Sequence, residues 1–188
     1  MTIEIDDAGT GDLVGDAFIG LLRKETGEII FKTLSVDLFK GENWKDKKPF
    51  KEIVDLIKEG LTELNFKKDK EQINLCRGNI FDQVRSYFLE EGINYKDAIV
   101  EGKLQNAVEG KLIEHLRNDL NVRSRNLTKK SGAKRFFVLF NWVCHDFFNR
   151  EKFVKSGFKK WNTIWRERAI KKYNKIKRAK KKKNYYTN

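Results

Sequence analysis

The chain has 188 residues, 39% of them apolar, and a formal net charge of +13. That length is enough for one sizeable core with an appendage. No apolar run approaches the roughly 18 residues that a membrane-spanning helix needs, which argues against a spanning protein. The two cysteines, Cys76 and Cys144, form neither a disulfide framework nor a ligand-spaced pair, so both are expected to be reduced and buried. The opening Met-Thr-Ile-Glu-Ile-Asp-Asp lacks the basic start and apolar core of a signal peptide, and a cytoplasmic location is expected.

In chain order, residues 2–7, 16–23 and 28–36 read as three strands. Gly27 sits in the turn between the second and third, which predicts a hairpin. Residues 40–48 are lysine-rich and read as a loop. Pro49 opens a helix whose apolar face is Phe50, Ile53, Val54, Ile57 and Leu61. Residues 72–76 alternate and predict a fourth strand ended by Gly78. A helix carries Ile80, Phe81, Val84, Tyr87 and Phe88 to a stop at Gly92. Ala98-Ile99-Val100 reads as a fifth strand, and Leu104, Ala107, Val108, Leu112 and Leu116 mark the next helix face. The order β-β-β-α-β-α-β-α over residues 1–121 predicts an α/β fold with a mixed five-stranded sheet flanked by helices. That order matches the ribonuclease H-like architecture.

Residues 122–183 read as a basic helical extension, followed by a short tail at 184–188. Residues 122–135 look like a basic loop, Phe136, Phe140, Val143 and Phe147 keep helical spacing, and a final helix is expected over about 150–180. Its stripe Trp161, Trp165 and Tyr173 reads as packing in preference to base stacking. Residues 1–121 hold 18 Lys and Arg against 24 Asp and Glu, a net of −6. Residues 122–188 hold 22 against 3, a net of +19. Such asymmetry points to a polyanionic partner, and the interleaved aromatics favour nucleic acid over a membrane surface. Lys129, Lys130, Lys134 and Arg135 are the candidates for phosphate contact.

The stretch with most chemistry is Ile5-Asp6-Asp7-Ala8-Gly9-Thr10-Gly11. Adjacent carboxylates at the end of a buried strand are costly unless a positive group compensates them. A divalent cation is the usual compensator, because hard cations take carboxylate oxygens. The bland alternative is a turn built from acidic residues and glycines. The stretch resembles the opening of the ribonuclease HII family, whose first strand runs into Asp-Glu-Ala-Gly-Arg-Gly. Asp6 stands at the family's first catalytic Asp, Asp7 at its Glu, and Ala8, Gly9 and Gly11 match outright. Thr10 replaces an arginine that contacts the hybrid's backbone. Arg77-Gly78-Asn79 resembles the family's Asp-Gly-Asn, with arginine in place of the acid, and Lys103 lies near another acidic position.

The resemblance implies a nuclease that hydrolyses phosphodiesters with Mg²⁺ or Mn²⁺ through two-metal chemistry. Asp6, Asp7 and Glu101 are the expected metal ligands, and Glu109 is the candidate fourth catalytic carboxylate. Glu101 follows the predicted fifth strand directly, and Glu109 falls in the second turn of the next helix or faces solvent. Gly9, Thr10, Gly11, Arg77 and Asn79 would meet the nucleic acid, Arg77 through a forked phosphate contact. Either the two glutamates replace missing acids, or the metal site is weakened and the chain binds nucleic acid without turnover. A scaffold whose basic part docks on an acidic assembly is a third reading. His115 is expected on a helix surface and His145 partly buried.

Overall fold

A computed structural model describes residues 1–127 and 132–185. Five strands form one mixed sheet: β1 (Thr2–Ala8), β2 (Ala17–Arg23), β3 (Ile29–Leu34), β4 (Gln72–Cys76) and β5 (Tyr95–Ala98). Their order is β3-β2-β1-β4-β5. β1 pairs antiparallel with β2 and parallel with β4, β2 pairs antiparallel with β3, and β4 runs parallel to β5. The chain is therefore α/β, with its first strand at the centre of the sheet.

Helices cover both faces, which explains why β2 is an unbroken apolar run rather than an alternating one. On one side, α2 (Lys48–Glu63) and α3 (Asp82–Glu90) bury Ile53, Ile57, Val84 and Phe88 against Ile3, Ile5, Ile19, Leu21, Ile73 and Leu75. On the other, α4 (Lys103–Asn118) lays Leu104, Val108, Leu112 and Leu116 over Phe18 and Leu22. Each such side chain contributes about 1.5–3 kcal/mol when fully buried. α4 lies so close to the sheet that a Cβ on Gly20 would meet Val108 Cγ1 at 2.3 Å. Larger residues at that position would force the helix away from β1 and the acids at its end.

The C-terminal segment joins the α4-side core. α5 (Gly132–His145) buries Leu139, Phe140, Trp142 and Val143, and Trp161 is sealed within the same cluster. Trp165 packs against Phe136, Phe137 and Phe140, so this tryptophan stripe is core rather than a stacking platform. Val154 forms a bridge with Val14, and Gly15 N–H and Lys155 N–H bond the carbonyls of Phe153 and Leu13 at 2.9 Å each. The loop that follows β1 is thereby stitched to a segment some 140 residues later. Among the described residues no helix is long and apolar enough to cross a membrane.

Several expected elements shift. The fifth strand is Tyr95–Ala98, not 98–100; Ile99 is 70% exposed, and pairing with β4 begins at Tyr95. Asp97 lies near the end of that strand and accepts a hydrogen bond from Arg85. Residues 40–48 are not a loop: a 3-10 turn (Val36–Phe39) leads into α1 (Gly41–Lys45), whose Trp44 packs on Phe39 and Phe158. The basic loop expected over 122–135 ends earlier, because α5 starts at Gly132. The single final helix is broken into α6 (Phe147–Arg150), a 3-10 turn (Glu151–Phe153), a π-helical stretch (Trp161–Trp165) and α7 (Arg166–Tyr185). The break lets residues 153–157 pair with the loop after β1 and with Phe39.

Candidate metal centre

The parallel pairing of β1 with β4 creates the centre. Ile5 faces Leu75 in the register, so the next residues, Asp6 and Cys76, stand side by side at the carboxyl ends of the two strands. Ligands gather at such ends in sheets with parallel strands. One carboxylate oxygen each from Asp6 and Asp7 and the Cys76 sulfur lie within 4.8 Å of one another. Asp6 is buried, 6% exposed, and Asp7 is partly buried. The Cys76 thiol hydrogen-bonds the Asp6 carboxylate.

Electrostatics mark these acids as undercompensated. Burial pushes the Asp6 carboxyl above its ordinary value, against the relief given by the Cys76 bond. Burial also drives Asp7 up to about 6, with the charges of Asp6 and Glu109 adding to it. A hydrogen bond from Thr10 Oγ1 to Asp7 Oδ2, at 2.6 Å, and the distant charge of Lys155 oppose that rise. Burial raises the Cys76 thiol to about 12. All three shifts penalise the anionic forms, and a cation placed among them would reverse the penalty.

The donor set fits one divalent ion. Two carboxylates suit Mg²⁺ or Mn²⁺, but a thiol is a poor ligand for Mg²⁺ and a good one for softer metals. Cys76 was not foreseen as a site residue. Its signal was the register: a residue at the end of a parallel strand beside Asp6 has to share that rim.

The expected carboxylates part company. Glu101 is exposed in the connection after β5 and lies outside the Asp6-Asp7-Cys76 group, because the strand that was to present it ends three residues earlier. Glu109 sits on α4 facing the rim, and its charge is felt by both Asp6 and Asp7. Its carboxylate is held by Arg135 at 2.7 Å. Arg135, expected to contact phosphate, is thus an internal clamp. Its Nε donates to buried Asp12 Oδ1 at 2.8 Å, while Asp12 Oδ2 has no hydrogen-bond partner.

The loop between β1 and β2 is braced from below. Gly9 has φ of +89°, and a Cβ there would meet Leu112 Cδ1 at 2.9 Å, so backbone shape and packing both require glycine. The Gly9 carbonyl accepts a 2.6 Å hydrogen bond from Lys155, a fully buried lysine that desolvation lowers to about 8. Thr10 spends its hydroxyl on Asp7, and Gly11 is exposed with open space around it. Arg77 and Asn79 are exposed on the connection after β4, while Gly78 lies against Asp7. Arg85 fixes that connection through the carbonyls of Cys76 and Gly78. Lys134 is exposed, and Lys129 and Lys130 lie outside the described residues.

The histidines exchange their expected settings. His115 is partly buried: the Asp16 N–H donates to its Nε2 at 3.2 Å, so the proton sits on Nδ1 and bonds Asp119 at 2.7 Å. His145 is exposed and bonds only the Asn141 carbonyl within its own helix. The chain matches no protein-family model and no curated protein.

Proposed function

We infer that the protein is a metal-dependent enzyme acting on nucleic-acid phosphodiesters, built on a ribonuclease H-like sheet. One observation carries this reading: Asp6, Asp7 and Cys76 converge within 4.8 Å at the carboxyl ends of two central parallel strands. The strand order β3-β2-β1-β4-β5 supports the architecture that the first-strand motif resembles. Asp6 and Asp7 hold the ion, and Cys76 borders it. A bound divalent ion supplies a water of lowered pKa and positive charge for the phosphoryl oxygens. Thr10 orients Asp7, Lys155 and Gly9 hold the loop, and exposed Arg77 is available to a phosphate. The converged donors suit one ion rather than the pair implied by the resemblance. A second ion requires Glu109 to leave Arg135.

The Arg135 clamp on Glu109 and the separation of Glu101 favour a second reading, a nucleic-acid-binding protein of the same fold without turnover. Labelled DNA, RNA and hybrid substrates incubated with Mg²⁺ or Mn²⁺ separate the two. The enzyme reading expects cleavage that disappears in Asp6→Asn. Cleavage that persists in that variant refutes the metal assignment, and binding without cleavage under every metal supports the second reading.

A further inference from the structure

One sizeable cleft opens away from the acid rim. It lies between α5, α7 and the segment 121–126, and has a volume of about 950 Å³. Four cations line it, Arg123, Arg150, Lys177 and Lys180, against one carboxylate, Asp146. Asp146 bonds the Asn149 side chain. Among the described residues none of the four cations forms an ion pair with a carboxylate, whereas Arg23, Lys32, Arg85, Arg135 and Arg166 all do. Unpaired cations gathered on a concave wall raise the local concentration of anions.

A second observation points the same way. Trp142, a wall residue only 9% exposed, has an indole N–H without a hydrogen-bond partner. A buried donor left unmet is costly, and here it belongs to a ring that lines the cleft. The Arg150 guanidinium lies 4.5 Å over the Trp142 ring and donates to its carbonyl, so one wall presents a charge backed by an aromatic plane. Tyr173 adds a half-buried ring.

One helix carries both a wall of the cleft and the residue that clamps Glu109. Arg135, Val138, Trp142 and His145 share one stripe of α5, and the last three line the cleft. Trp142 is about 10 Å along that helix from Arg135, the residue that clamps Glu109.

We propose that this cleft binds a single-stranded nucleic acid, with the phosphates on Arg123, Arg150, Lys177 and Lys180. The proposal rests on the nucleic-acid reading above and adds where the strand lies. Clefts of this volume take a small molecule or a few linked nucleotides, not a double helix. Cations interleaved with aromatic rings are the chemistry of single-strand binding.

The test is fluorescence anisotropy with a labelled single-stranded oligonucleotide, run in chelator on the Asp6→Asn protein so that neither metal nor cleavage enters. Affinity is expected to fall with salt, by a log–log slope of about 0.7 for each phosphate neutralised. The double variant Arg123→Gln/Lys177→Gln, at two exposed positions, should lower that slope by about 1.4 and weaken binding at least fivefold. Lys51→Gln, which removes one positive charge from an exposed position of α2 remote from the cleft lining, should leave both unchanged. Wild-type binding by the double variant overturns the proposal. So does an equal loss in Lys51→Gln, or equal affinity for a mononucleotide or for the duplex of the same sequence. The result is independent of the metal reading: cleavage retained by a double variant that has lost no affinity rejects the cleft alone, and binding at the cleft without cleavage rejects the enzyme alone.

Discussion

Arg135 is the residue whose removal should cost most for its size. Its Nε meets Asp12 at 2.8 Å, with side-chain exposures of 15% and 6%. Its other arm meets Glu109, which is 41% exposed. The Glu109 arm is screened by water and contributes a few tenths of a kcal/mol to about 1. The Asp12 arm is a buried pair, and breaking such a pair by deleting one partner costs about 3–5 kcal/mol. The cost falls fully here because Asp12 Oδ2 already lacks a partner. Arg135→Met should therefore destabilise the protein by about 4 kcal/mol, and with a urea m-value of about 2 kcal/mol/M the midpoint drops by about 2 M. Urea unfolding followed by tryptophan fluorescence measures it. Adding Asp12→Asn removes the stranded charge, and the double variant should recover more than half of the loss. A loss below about 1 kcal/mol, or a double variant no better than the single one, refutes the clamp.

The raised Asp7 carboxyl predicts a pH dependence. Its folded value of about 6 exceeds the ordinary 3.8, so between these values the folded state holds more protons than the unfolded one. Stability should then fall as pH rises from about 4 to 6, by about 3 kcal/mol from Asp7, and Asp7→Asn should cut the fall to the part that the raised Asp6 carboxyl contributes. Parallel stability-versus-pH curves for the two proteins would show the idea to be wrong. Because the ion needs ionised acids, Mn²⁺ affinity by calorimetry should weaken about tenfold per unit below pH 6. Cys76→Ser tests the sulfur directly: Cd²⁺ or Co²⁺ added to the wild type should give a thiolate charge-transfer absorption that the variant lacks. A band of equal intensity in Cys76→Ser would place the metal elsewhere.

Much of the scaffold was legible from local signals. The alternation of Ile3 and Ile5, the apolar β2, and the helical stripes beginning at Phe50 and Leu104 each carry their own period, because side-chain direction in a strand or helix depends on neighbours in sequence. Asp6 and Asp7 stood out for the same reason, as charges at the end of a buried strand. The fifth strand was misplaced because Ile99 and Val100 are apolar without being sheet: Val100 fills the α4-side core from a connection, and Tyr95 to Ala98 pair through backbone groups that composition does not reveal.

The sequence by itself determined the first four strands, the helices that flank them and that the first strand ends in charge, since those depend on contacts a few residues apart. Only the tertiary structure decided which groups meet that charge. Cys76 joined it through strand register, Lys155 through a hydrogen bond to Gly9 from 146 residues away, and Arg135 left the solvent to neutralise Asp12 and Glu109. Those partners are separated along the chain by loops whose closure no local pattern records, and burial chose among the many basic residues the few that face a buried acid.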